Sequence, residues 1–429
     1  MTRFRTPSPL LALVAACGSS QSAPPENRPA SDPMPPVQTA QPDPGPEPGT
    51  FGHDLAFLRE HTDVVVLELG DARVAVAPIY QGRVMTSAAA GEEGLSYGWI
   101  NREAIASGER RPHMNVFGGE DRFWLGPEGG QYALYFAPGD PFDLEHWQVP
   151  EPIDWGGWEV ASREPTEIRF TKEMSLESYA RTRFDLRVDR TVRVLPGESI
   201  AEHLGVVPPE GVQAVAYESE NTITNTGEAP WRKRSGLVSI WILGMYNPSP
   251  ATTVVVPYRA GPARRLGPVV NSSYFGEVPE DRLVVVENVV YFRADGQHRS
   301  KIGIPRPRAM PIAGSYDAEH GVLTLVSYTL PENAQDYVSS LWEQQRRPYG
   351  GDVVNSYNDG PPAPGAPPLG PFYELETSSA AAALAPGASL THVHRTFHLQ
   401  GGEEALDPIA RATLGVGIED IIGAFAPGE

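Results

Sequence analysis

Apolar and polar side chains alternate most cleanly between Phe184 and Leu195. Phe184, Leu186, Val188, Val192 and Val194 fall on one face, interrupted by Arg190, while Asp185, Arg187, Asp189 and Arg193 occupy the other. A period of two with one polar face predicts a half-buried antiparallel strand. From Phe51 onward the chain reads as strands of this kind. Val64–Leu69 and Arg73–Ala77 flank Gly70-Asp71-Ala72, which is a hairpin signal. Further runs follow at 212–225, 236–245, 252–258, 283–293, 322–330 and 392–399, with turn clusters between them and no internal repeat. Many short strands at such spacing predict an all-β fold, a large sandwich or barrel. Two stretches break the pattern. Residues 359–371 are too rich in Pro and Gly for any sheet and form a rigid loop. Residues 403–424 place Leu406, Ile409, Ala410, Leu414, Ile418 and Ile421 at helical spacing, which predicts one C-terminal helix within the segment 403–429.

Composition changes this picture in three ways. Gly 43 and Pro 44 together make about a fifth of the 429 residues, which argues against a helical protein. With 34 Lys+Arg against 54 Asp+Glu the formal charge is -20, so nothing could neutralise a row of phosphates and a nucleic-acid partner is excluded. The single cysteine excludes a disulfide framework and a cysteine-based zinc site.

That cysteine sits at the end of a leader. Arg3 and Arg5 precede the apolar run Leu10–Ala16, and Val14-Ala15-Ala16-Cys17 resembles a bacterial lipobox. Residues 1–16 therefore read as a signal peptide and Cys17 as the acylated N-terminus, the alternative being a non-lipidated signal with an incidental cysteine. The Pro-rich, aromatic-free stretch up to residue 50 reads as a disordered tether. The expected location is the bacterial cell envelope, with the lipid as the only membrane attachment.

Chemistry concentrates in residues 115–131, Asn-Val-Phe-Gly-Gly-Glu-Asp-Arg-Phe-Trp-Leu-Gly-Pro-Glu-Gly-Gly-Gln. Glycines let the backbone approach a ligand, Trp124 offers a flat apolar face, and Glu120, Asp121, Arg122, Glu128 and Gln131 supply donors and acceptors. Such a set suits a sugar, which stacks its C–H face and hydrogen-bonds its hydroxyls. It equally suits an internal loop in which Arg122 ties down Glu120 and Asp121. A second aromatic and acidic cluster, Phe142–Gln148 with Trp147, could form another wall or simply pack in the core. His392, His394 and His398 share one strand face. Without a local carboxylate they read as a polar face, and no metal is assigned. Neither a Gly-x-Ser-x-Gly elbow nor a P-loop occurs, and no cofactor is expected.

The 115–131 loop, the segment Glu220–Trp231, and Phe372–Ser379 with Leu384–Gly387 together resemble the galactose mutarotase-like superfamily, over about residues 55–402. The run Gly-Gly-Glu-Asp-Arg-Phe-Trp-Leu-Gly-Pro-Glu-Gly-Gly is similar to a bacterial branch of it. The resemblance implies a large antiparallel β-supersandwich over 51–402 with a carbohydrate-binding face. It implies Glu376 as the general base, and strand alternation puts Glu374 on the same side. The histidine that serves such enzymes as general acid has no counterpart in 235–246, leaving His113 or His146 to substitute in space. Two functions are therefore expected: an epimerase-type enzyme acting on a sugar, or a non-catalytic glycan-binding or envelope-scaffolding domain.

Overall fold

The computed structural model describes residues 46–363 and 365–426, so the signal peptide, Cys17 and most of the tether lie outside the described residues. The first strands are β1 (Val65–Leu69), β2 (Ala72–Ala77), β3 (Arg83–Ala88), β4 (Arg122–Gly126), β5 (Glu159–Glu164) and β6 (Glu167–Glu177). Next come β7 (Arg183–Val194), β8 (Gln213–Asn225), β9 (Ser239–Tyr246), β10 (Thr252–Pro257), β11 (Leu283–Val286) and β12 (Val289–Arg293). The last are β13 (Ser300–Pro305), β14 (Ile312–Asp317), β15 (Val322–Tyr328), β16 (Asp352–Asn358), β17 (Tyr373–Ser378) and β18 (Ser389–Gln400). They form a ten-stranded sheet in the order β11-β12-β10-β14-β15-β18-β8-β7-β6-β5, a five-stranded sheet β13-β16-β17-β9-β4, and a small sheet β1-β2-β3. All these pairings are antiparallel.

The two large sheets pack face to face, which is the antiparallel β-supersandwich expected. Phe184, Leu186, Val188 and Val192 of β7 meet Phe123 and Leu125 of β4 and Ile240 and Ile242 of β9 in one core. A second core joins Val254 and Val256 of β10 to Ile302 and Ile304 of β13 and Leu375 of β17. Every second residue of β7 is buried from Phe184 to Val194, as its alternation demands. The far face of the large sheet is covered by helices Glu403–Leu414 and Ile418–Ile422, which bury all six residues picked out by spacing. One continuous helix was the expectation. The chain instead breaks at Gly415, whose φ of 78° ends the first helix in the left-handed region.

A second correction concerns the entry to the domain. Residues Phe51–His61 form a helix and not a strand. The Thr50 side chain accepts from the His53 N–H, and Phe51, Leu55 and Leu58 recur at helical spacing and are buried.

Arg190, the interruption in the β7 pattern, turns out to belong on the inner face. Its guanidinium donates to Asp121 Oδ1 at 2.7 Å and Asn221 Oδ1 at 2.6 Å, and both members of the ion pair are fully buried. Removing one partner of such a pair strands a charge in a dry interior. Asp121→Ala should lower unfolding stability by about 3–5 kcal/mol in chemical denaturation; a loss below about 1 kcal/mol would mean that the pair does not hold the sheets in register.

Candidate active site

Alternation along three adjacent strands builds the site on the outer face of the five-stranded sheet. On β4, Phe123 and Leu125 enter the core while Arg122 and Trp124 face outward. On β9, Ile240 and Ile242 point in and Trp241, Leu243 and Met245 point out. On β17, Tyr373 and Leu375 are core residues, and Glu374 and Glu376 share the opposite face as expected. The pairings Trp124↔Trp241 and Glu374↔Met245 fix the register. Loops carrying His113, Trp147, Trp342 and Leu369 rise around this face and enclose a cleft of about 300 Å³. That volume lies at the lower end for small-molecule sites.

The residues expected from sequence divide into two sets. Arg122, Trp124, Glu128, Trp147 and Glu374 all line this cleft. Glu376 sits directly beneath it, fully buried, and receives both Lys301 Nζ at 2.8 Å and Trp241 Nε1 at 2.9 Å on the same oxygen, Oε2. Its Oε1 has no partner among the described residues. Glu120, Asp121 and Gln131 are not at the cleft. Glu120 turns between the sheets, accepting from the Ser87 N–H at 2.6 Å and Tyr217 Oη at 3.0 Å, with His398 Nε2 3.0 Å away. Asp121 is bound to Arg190. Gln131 clamps the backbone of Gln345 through two hydrogen bonds. The turn that sends Glu120 inward needs Gly119, because its φ is +106° and a Cβ there would lie 2.7 Å from Val84 O.

Arg122 thus does not tie down its sequence neighbours. Its Nη2 donates to Glu374 Oε1 at 2.9 Å, and the guanidinium lies 4.1 Å from the centroid of the Trp124 ring. The general acid expected from the resemblance is absent from β9, but His113 lines the cleft with Nδ1 2.5 Å from Trp147 O. His146 is not among the lining residues and pairs with Asp143 at 2.6 Å. Lys301 and Trp241 escaped sequence reasoning, although Lys301-Ile302-Gly303-Ile304 does alternate.

Burial controls the electrostatics. It pushes the Glu374 carboxyl up to about 8, Glu376 adding to the rise while Arg122 and Lys301 oppose it. Burial likewise raises Glu128 to about 7, against the pull of Lys301. Lys301 itself is disfavoured by burial, but Glu376, Glu128 and Glu374 outweigh this and hold its pKa above the ordinary value. Two carboxyls that exchange protons near neutral pH are suited to acid–base work. Elsewhere, His392 Nε2 and His394 Nδ1 each lie 2.9 Å from Thr377 Oγ1 between the sheets. Burial drives them to about 3 and about 4, so both are neutral. Among the described residues no group of three or more His, Cys, Asp or Glu is placed to hold a metal ion.

A charged, aromatic-walled cleft on the face of an antiparallel sheet is the feature that defines this molecule. The chain belongs to a family of unknown function, DUF6786, whose model matches residues 49–425. No curated protein matches it. Among solved structures, it is similar to a galactose mutarotase-like protein from Lactobacillus casei ATCC 334, with 11% identity over 79% of this chain and 100% of that one and a TM-score of 0.44. A galactose mutarotase related enzyme from Lactobacillus acidophilus shares 8% identity over 79% and 98% of the two chains, TM-score 0.44. The Slr1438 protein from Synechocystis sp. PCC 6803 shares 14% over 80% and 96%, TM-score 0.45.

Glu128 gives the cleft a signature in stability. Its folded pKa of about 7 exceeds the ordinary 4.5, so the fold favours the protonated form. That contribution is present in full below about 4.5 and is lost as pH rises through about 7. The melting temperature of the wild type should therefore fall more steeply across this window than that of Glu128→Gln. Equal slopes would place Glu128 in water.

Proposed function

We propose that this protein binds a carbohydrate in the cleft and carries out epimerase-type proton transfer on it. One observation carries the reading. Four tryptophans, Trp124, Trp147, Trp241 and Trp342, surround Arg122, Glu128, Lys301 and Glu374 in a single cleft. Aromatic faces with a few convergent polar groups are what a sugar ring requires. Trp124 also buries an indole N–H that has no partner among the described residues, and a ligand hydroxyl would satisfy it. Ring opening needs one group to take the proton of the anomeric hydroxyl and another to protonate the ring oxygen as its bond to the anomeric carbon breaks. Glu374 and His113 are the candidates that reach the cleft, with Arg122 orienting Glu374.

The burial of Glu376 favours a second reading, a non-catalytic glycan-binding domain. Its Oε2 is already taken by the Lys301 ammonium and the Trp241 indole N–H, and the side chain is fully buried beneath the cleft.

Polarimetry or NMR of freshly dissolved anomers separates the two. An epimerase should interconvert them above background, and Glu374→Gln should cost about two or more orders of magnitude in turnover. A binder should show no interconversion, yet Trp342→Ala should weaken sugar binding. If no sugar tested binds or reacts, the carbohydrate reading fails.

The leader supports an envelope role. Arg3, Arg5, the apolar run to Ala16 and the Pro-rich stretch after Cys17 fit a protein lipidated at Cys17 and held at a membrane by that lipid. Cys17→Ser should abolish lipid labelling and release the protein from membranes; a variant that still sediments with them would refute the anchor.

A further inference from the structure

The charges of the cleft do not all find partners within it. Glu374 is taken by Arg122 and Glu376 by Lys301. Asp359 accepts from Tyr357 Oη at 2.9 Å and from the Gly370 N–H at 2.8 Å. Arg299 also lines the cleft; among the described residues it makes no salt bridge within 4.0 Å, although it reaches Tyr357 and its charge favours the ionised form of Asp359 from farther away. This occurs in a chain with 54 Asp+Glu and only 34 Lys+Arg, where a surface arginine has many carboxylates to choose from.

Nor is Arg299 loose. Its guanidinium lies 4.0 Å from the centroid of the Phe275 ring, and Phe275, itself 44% exposed, borders the same cleft. A guanidinium held over an aromatic face is restrained in orientation, and of its five N–H donors Tyr357 engages only part, leaving others to face a ligand. Phe275 rests in turn edge-on against Tyr357, at 5.8 Å between centroids, so the platform is continuous with the cleft floor.

We propose that the ligand of the cleft is an acidic sugar, a uronic acid or a glycan carrying one, whose carboxylate pairs with Arg299 while its ring lies over the Glu374 floor. A planar, pre-oriented fork matches a carboxylate through two parallel hydrogen bonds. The other acids of the cleft do not prevent this. Two of the four are paired with cations, and Asp359 is held by two hydrogen bonds, with the Arg299 charge acting on it from beyond salt-bridge distance. Burial lets the remaining one, Glu128, carry a proton near neutrality. The inference rests on the carbohydrate reading above and adds the charge of the substrate to it.

The test compares D-galacturonate with D-galactose, and D-glucuronate with D-glucose, by calorimetry or tryptophan fluorescence on the full chain. The wild type should bind the uronate of at least one pair about ten- to a hundredfold more tightly than its neutral partner, the range of a charge-assisted hydrogen bond. Arg299→Gln should erase that preference and leave the affinity for the neutral sugar unchanged, with an unaltered melting temperature showing that the fold is intact. Neutral sugars bound as tightly as the uronates by the wild type would overturn the inference and leave the carbohydrate reading standing. A uronate preference that survives in Arg299→Gln would overturn the assignment to Arg299. Binding of none of the four would overturn both readings together.

Discussion

The ion pair between Asp121 and Arg190 joins the two sheets where the hydrophobic effect alone would leave a choice of register. Arg190 lies on β7 of the ten-stranded sheet, and Asp121 immediately precedes β4 at the edge of the five-stranded one. Both are fully buried, so neither can lose its partner without leaving an uncompensated charge in a dry interior. With Asp121 turned inward, the pleat sends Arg122 outward, Phe123 inward and Trp124 outward. A slip of one residue would drive Arg122 into the core and Phe123 into the cleft. The pair therefore sets which half of the Glu-Asp-Arg-Phe-Trp sequence faces a ligand. Glu120 reinforces it through Ser87, Tyr217 and His398 on strands β3, β8 and β18.

Glu374 and Glu376 lie on the same side of β17, where two ionised carboxylates would repel each other in a poorly solvated site. The sheet answers with one cation for each. The five-stranded order puts β17 in the middle and β13 and β4 at the edges. Lys301 reaches in from β13 and Arg122 from β4, so the two cations approach the central strand from opposite sides. These pairs are buried and rimmed by tryptophan, and salt should screen them little. Glu374 still remains easy to protonate, because burial disfavours its charge more than Arg122 stabilises it. Glu376 carries an ammonium and an indole N–H on one oxygen and so fixes Lys301 and Trp241 relative to the central strand. Glu374, two residues from Glu376 on the same face, is the one of the two that lines the cleft.

Much of the fold was legible in the sequence because period-two alternation and helical spacing are local properties. β7, the β1–β2 hairpin and the six buried positions of the C-terminal segment follow directly from them. The helix Phe51–His61 was also written there, in a Thr cap and the spacing Phe51, Leu55, Leu58, but its short length hid it among strands. The site was half legible. Glu374 and Glu376 on one face is a consequence of the pleat, and Trp124, Arg122, Glu128 and Trp147 belong to motifs dense in chemistry.

The sequence by itself determined the strands, the polar and apolar faces of each, and the pool of charged and aromatic side chains from which a site could be made. Tertiary structure alone decided which of them meet. Glu120, Asp121 and Arg122 are consecutive, yet two are drawn inside by partners on distant strands and the third pairs with Glu374, 252 residues away. No local rule assigns those partners, because the free energy of a buried charge depends on what lies across the sheet from it and not on its neighbours in the chain.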